Sequence, residues 1–328
     1  DDNIILYPSE NSKYTVTIFS DTSCPYCQKL HNEIDNLVLN ITNDRLLEKD
    51  WDQIYVPPYP GDCGSAIGAV LSHYNKHIDV QPYLGYNIEK PYPVKKLIKE
   101  LKPDVVINCV GVVKQLSNAN DPLLTLPINS LFPHKLAQLC ANHNIRVIHI
   151  STDCVFSGLK GGYTEDDIPD ATDLYGISKK LGEVDYPNAI TLRTSIIGHE
   201  LNSNLSLVDW FLSQETQKVS GFSKAIFSGL PTCYVSSVLD KFIFGKNIRG
   251  LYHLSVDPID KFSLLCSIKK HYEKRINIIE DTSIKINRSL SSKKLKRDTG
   301  YNYDGWETLI ALMRKDRLEN FIYESKET

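Results

Sequence analysis

Arg146-Val-Ile-His-Ile-Ser-Thr-Asp-Cys-Val-Phe-Ser-Gly158 reads as a buried strand that runs out into a turn. Some twenty residues on, Leu174-Tyr-Gly-Ile-Ser-Lys-Lys-Leu-Gly-Glu183 has the pattern of a helix through Val184, and Ala189-Ile-Thr-Leu-Arg-Thr-Ser-Ile-Ile197 reads as the next strand. Upstream, Val94–Leu101 predicts a helix, Asp104–Val110 a buried strand and Ser130–Asn142 a second helix. Strands alternating with helices at this spacing imply an α/β, Rossmann-like, doubly wound parallel sheet. Beyond Gly250 short helices and turns suggest an appended lobe.

Tyr175 and Lys179 stand four apart on the expected helix, so phenol and ammonium share a face. A free tyrosine titrates at about 10, and a neighbouring cation stabilises its phenolate. Such a phenol can protonate the oxygen formed when hydride reaches a carbonyl. Alone the pair is weak, since most such pairs are exposed helix residues. Thr152 changes the balance, because it sits at the carboxyl end of a strand, where open α/β sheets bind ligands. The bland reading of Thr152 is a turn cap.

The chain has 328 residues, 41% hydrophobic and 23% charged, enough to bury a large core, and its formal net charge of -3 argues against a nucleic-acid partner. No apolar run is long enough for a membrane span. Eight cysteines occur, and only Cys24 and Cys27 have motif spacing. That usage favours a reducing compartment, and a cytoplasmic location is expected. The chain starts at Asp1 and its one methionine is Met313, so its start is expected to be a fragment boundary or a processed end.

From about Lys96 to Trp306 the sequence resembles the extended short-chain dehydrogenase/reductases of the dTDP-4-dehydrorhamnose reductase type. The resemblance rests on ordered motifs. They are Lys102-Pro-Asp-Val-Val-Ile-Asn-Cys-Val-Gly111, Ile128-Asn-Ser130, Ser151 to Gly158, Tyr163-Thr-Glu-Asp-Asp167, Leu174 to Glu183, Leu192-Arg-Thr-Ser-Ile-Ile-Gly198, Phe227-Ser-Gly-Leu-Pro-Thr232, Gly250-Leu-Tyr-His-Leu-Ser255 and Arg288-Ser-Leu290. It implies a catalytic group of Thr152, Tyr175 and Lys179. It also implies that Asn108, Gly111, Asn129 and Lys179 face an NADPH or NADH cofactor, with Arg193, Thr194 and Ser195 at the nicotinamide end. The implied substrate is a nucleotide-linked 4-keto-sugar in cell-surface polysaccharide synthesis, with Lys224 either meeting its phosphates or solvated. A homodimer is compatible with this, and no metal is expected. Where the family commonly has tyrosine this chain has Cys154, which with Asn202-Ser-Asn-Leu-Ser206 leaves the sugar open.

The first third departs from this pattern. A dinucleotide-binding sheet should open with a strand and closely spaced glycines that admit the pyrophosphate. Tyr14–Phe19 reads as a strand, but Ser23-Cys-Pro-Tyr-Cys27 follows it, and residues 13–37 resemble thioredoxin-fold disulfide isomerases. Residues 53–84, with Gly61, Gly64 and Gly68 after a proline-broken turn, resemble a C-terminal piece of carbamoyltransferases. The expected units are therefore 1–40, 41–93 and a reductase domain over 94–328, whose substrate lobe occupies about 200–245 and 258–328. Residues 1–93 are expected to pack where the first βαβ unit belongs. Two other readings stand: a non-catalytic or regulatory module that has lost the dinucleotide, and a thiol-disulfide oxidoreductase acting through Cys24 and Cys27.

Overall fold

Val105, Val106 and Ile107 send apolar side chains alternately to two separate hydrophobic clusters, as a strand covered on both faces must. The computed structural model describes residues 14–19, 51–55, 92–114, 119–200, 206–215 and 218–321. Cys24, Cys27, Gly61, Gly64, Gly68 and residues 201–205 lie outside them. In chain order the main sheet contains β1 (Tyr14–Phe19), β2 (Trp51–Tyr55), β3 (Val105–Asn108), β4 (Arg146–Thr152), β5 (Ala189–Thr194) and β6 (Gly250–His253).

All six strands are parallel, in the spatial order β2-β1-β3-β4-β5-β6. The chain moves outward from β1 to β2 and then returns to β3 on the other side of β1. That reversal is the switch point at which a doubly wound sheet opens a crevice beyond its carboxyl ends. β1 and β2, drawn from the two stretches that resemble other families, lie in this same sheet. β2 was not expected as a strand.

One face of the sheet is covered by α1 (Tyr92–Leu101) and α2 (Phe132–Ala141), which bury Ile98 and Leu136 against Val106 and Val147. The other face packs Ile107, Ile148 and Leu192 against Val235, Leu295 and Leu309 from helices later in the chain. A third cluster, including Phe211, Phe227, Leu264 and Met313, builds the lobe. The apolar run expected through Ile197 divides at Ser195. The pair Ile196–Ile197 leaves the main sheet for Leu230–Pro231, and Ser195 O accepts the Leu230 N–H at 3.0 Å.

The helix expected over Ser130–Asn142 starts earlier and is not uniform. An α-helical turn at Pro122–Leu126 passes into a π-helical turn at Pro127–Leu131 before α2 begins. The prolines are the cause. Pro133 has no N–H to return to Asn129 O, and its ring crowds that carbonyl, so the ladder widens and the Phe132 N–H reaches Pro127 O.

At the far end of the sheet His253 is fully buried, with Nδ1 3.1 Å from Tyr163 O and Nε2 3.3 Å from Arg193 Nη1. Burial and the Arg193 charge push its pKa down to about 3. Burial, then the Lys179 charge, pushes His149 down as well. Both imidazoles are neutral in the fold and free to protonate once unfolded. Below the ordinary histidine pKa the unfolded chain therefore binds more protons, and stability falls with pH. Each contributes about 1.4 kcal/mol per pH unit below pH ~6.5. Guanidinium unfolding at pH 7.5, 6 and 5 checks this, and His253→Gln is expected to flatten the slope by about half of the 2.8 kcal/mol per unit expected of the pair.

Candidate functional site

β4 ends at Thr152, and the helix α3 (Leu174–Leu181) crosses that end. Asp173 starts the helix, its carboxylate accepting the Gly176 N–H at 2.9 Å, a capping geometry that suits the helix dipole. Two contacts then press α3 onto the strand end. Gly176 lies so close that a methyl group on it would stand 2.4 Å from Cys154 O and 2.5 Å from the Ala171 Cβ. One turn later Lys179 Nζ donates to Ile150 O at 2.8 Å. Tyr175 and Lys179 are thereby brought to the segment that carries Thr152.

A third contact fixes the far side of α3. Asn129, in the π-helical turn, gives Nδ2–H to Ser178 Oγ and to Val112 O, both at 3.0 Å, and its Oδ1 accepts the Val112 N–H at 2.7 Å. Ser130 Oγ donates to Ser178 O at 2.9 Å. A methyl on Gly182 would stand 1.9 Å from Asn129 O, the carbonyl that Pro133 cannot satisfy. Asn129 thus ties the loop after β3 to the helix that carries Tyr175 and Lys179.

Lys179 is buried, at 4% exposure, while Tyr175 is half-buried. The Lys114 ammonium stands 5.4 Å from the centre of the Tyr175 ring. Thr152 fills the role of turn cap: its Oγ1 accepts the Cys154 N–H at 3.1 Å and donates to Asp153 Oδ1 at 3.3 Å. The second bond is long, and a carbonyl reaching this hydroxyl has only that bond to replace.

Gly111 faces the same place. A methyl there would stand 3.4 Å from Asn129 Oδ1 and 3.8 Å from Lys179 Nζ, so bare backbone borders the lysine. Asn108 and Arg193, expected at the dinucleotide, turn into the protein instead. Asn108 is 0% exposed, its Oδ1 held by the Val110 N–H at 3.1 Å and its Nδ2 3.0 Å from His149 Nδ1. Arg193 is 2% exposed and makes a two-pronged pair with Glu183 at 2.6 and 2.8 Å, with Ser151 Oγ donating to the same carboxylate. A buried guanidinium needs such a partner, so Arg193 braces the ends of β5 and α3. Thr194 is also buried; Ser195 is partly exposed. The close-packing glycines and Asp153 were not singled out in the sequence, although Tyr-Gly-Ile-Ser-Lys already held the small residues that permit the contact.

Comparisons with known proteins agree with this architecture. Residues 54–316 match the family model described as the RmlD substrate binding domain. The match takes in the stretch around Gly61 and leaves β1 outside. The dTDP-4-dehydrorhamnose reductase of Aggregatibacter actinomycetemcomitans is 29% identical over 175 residues, 50% of this chain and 60% of that protein. Methionine adenosyltransferase 2 subunit beta of Xenopus tropicalis is 33% identical over 198 residues, 53% of this chain and 56% of that protein. The chain thus spans less than two thirds of the length of these relatives. Among solved structures, dTDP-4-dehydrorhamnose reductase from Bacillus anthracis, crystallised with NADP, superposes with a TM-score of 0.64 at 19% identity, covering 73% of this chain and 91% of that one.

Gly176→Ala is expected to force α3 off the Cys154 carbonyl and to destabilise the protein by about 1–3 kcal/mol. Gly245→Ala, where a methyl meets nothing within 4 Å, is the control and should stay within about 1 kcal/mol of the parent. Paired urea unfolding curves read the difference.

Proposed function

Starting from a chain that belongs to the RmlD substrate-binding family, we propose that it is an NAD(P)H-dependent reductase of a nucleotide-linked 4-keto-sugar. What supports this is that the helix carrying Tyr175 and Lys179 is pressed onto the segment that carries Thr152, through the Gly176 and Lys179 contacts with residues 154 and 150. A bound nicotinamide supplies the hydride that reduces the carbonyl carbon. The chain's own residues handle the proton. Thr152 donates to the carbonyl oxygen and orients it, Tyr175 gives that oxygen its phenolic proton, and the charges of Lys179 and Lys114 stabilise the phenolate that remains. Water then restores the phenol.

The residues around Lys179 fit the nicotinamide end of a dinucleotide. Gly111 leaves room beside the ammonium, and Ser195 is the partly exposed member of the β5 end. The cofactor is NADPH or NADH, since structural neighbours are crystallised with NADP and with NAD. The sugar follows from the relatives named dTDP-4-dehydrorhamnose reductase, and a relative named as a probable glycan biosynthesis reductase supports a role in building a glycan.

A second reading is a non-catalytic subunit. No glycine occurs between β1 and Gly61, so the connection after the first strand lacks the residues that let a pyrophosphate approach backbone. The relative named as a subunit of methionine adenosyltransferase favours the same reading.

Tyr175→Phe separates the two. The reductase reading expects NADPH-dependent reduction of a dTDP-4-keto-6-deoxysugar that falls on the order of 10²–10⁴-fold in kcat in the variant, with KM little changed. A parent protein with no turnover, or a variant as fast as the parent, contradicts it. Steady-state NADPH oxidation is the measurement.

A further inference from the structure

β3 and β4 run side by side only as far as the pair Asn108 and His149. β4 continues to Thr152, paired with β5 to its end but no longer with β3. On the side that β3 has left, Lys179 Nζ takes Ile150 O at 2.8 Å. Past Asn108 the departing chain is held by side chains instead of by strand pairing. Asn108 Oδ1 accepts the Val110 N–H at 3.1 Å, and Asn129 binds both the N–H and the carbonyl of Val112, at 2.7 and 3.0 Å. Gly111 is bracketed between these two asparagines, with bare backbone towards Lys179. The Asn108–His149 rung thus marks where the two strands part beside the site.

Three paired positions cross the sheet at this level: Asn108, His149 and Thr191, each 0% exposed. They share a face with the apolar row Val106, Val147 and Ala189, two residues earlier on the same strands. Continuing that apolar row would bury no polar group. Thr191 spends its hydroxyl on Val184, binding its N–H at 3.0 Å and its carbonyl at 2.9 Å. Asn108 keeps Oδ1 for Val110, so its Nδ2–H is the donor to His149 Nδ1 at 3.0 Å. The imidazole proton is therefore on Nε2, and Nε2 has no partner among the described residues. A buried donor without an acceptor is unfavourable, so this side chain accepts one bond while leaving another unmade. Such an imidazole is a poor choice for core stability.

We propose that His149 is a positioning residue for the dinucleotide: by accepting the Asn108 amide it fixes where β3 leaves β4, and with that the place of Gly111 beside Lys179. A purely structural role and this one predict different outcomes. Phenylalanine at 149 would remove the orphaned Nε2–H and leave the Asn108 Nδ2–H without its acceptor, exchanging one unsatisfied donor for another. Stability should then change little. The Asn108 amide, however, becomes free to turn and to release Val110, which loosens one of the two brackets around Gly111. The identity of the ligand rests on the reductase reading; the place of Gly111 does not.

The test is fluorescence titration of the full chain with NADPH at pH 7.5, comparing the parent with His149→Phe and His149→Asn. Asparagine sets Oδ1 about where the imidazole has Nδ1, so it can still accept the Asn108 amide. His149→Phe is expected to bind NADPH about tenfold more weakly while melting within about 4 °C of the parent. His149→Asn should bind within about threefold of the parent, even if its smaller side chain lowers the melting temperature. Amide hydrogen exchange supplies a readout that needs no ligand: the Val110 N–H should exchange about tenfold faster in His149→Phe, with Ile148 and Ile190 unchanged. Early melting of His149→Phe passes the test to His149→Leu, with the same expectations. Early melting of both, parent-like NADPH affinity or parent-like Val110 protection in the apolar variant, or an asparagine variant as weak as the apolar one would each overturn the assignment. A parent that binds no NADPH would sink the reductase reading alone, and Val110 exchange would then decide the role of His149.

Discussion

The site depends on how closely one helix can approach the end of one strand. α3 reaches β4 because Gly176 has no side chain where Cys154 O must pass, and because Lys179 returns its ammonium to Ile150 O. These contacts sit one turn apart, so they set both the distance and the rotation of the helix. Rotation matters most, since Tyr175 and Lys179 meet the same groups only if the face between them looks at the strand end. On the other flank Gly182 and Ser178 close on the π-helical turn. The helix is therefore held from two sides by backbone carbonyls, with glycines at both points of closest approach.

The wider fold supplies the rigid surroundings that such a fit needs. Asn129 joins the loop after β3 to α3, and the Glu183–Arg193 pair joins the end of α3 to β5. His253 continues that network to the loop at Tyr163, where Phe156 and Tyr163 stack 4.0 Å apart. Every bond in this chain lies at the carboxyl edge of the sheet. Polar groups buried there are costly unless each finds a partner, and once paired they hold one arrangement in preference to others.

Much of this was legible in the residues. β4 falls on Arg146–Thr152 as read, because its apolar run is bounded by a polar helix end and a turn, and α3 was found from Tyr175 and Lys179 at helical spacing. The π-helical turn was not, since Pro127 and Pro133 look like helix starts until the Asn129 carbonyl between them is followed to Gly182. Asn108 and Arg193, expected at the dinucleotide, are buried in hydrogen-bonded pairs for a related reason. In a strand covered on both faces every position is interior, so nearness to the carboxyl end does not say which side chain looks into the crevice. β2, Trp51-Asp-Gln-Ile-Tyr55, escaped notice because its apolar residues do not alternate.

If the strand end is a reductase site, the crevice at the β1–β3 reversal must accept a dinucleotide despite a first connection without glycine. Fluorescence titration of the whole chain with NADPH tests this most directly. The account predicts saturable binding that weakens when Lys179 is replaced by methionine. A flat titration at NADPH concentrations up to the millimolar range would contradict it.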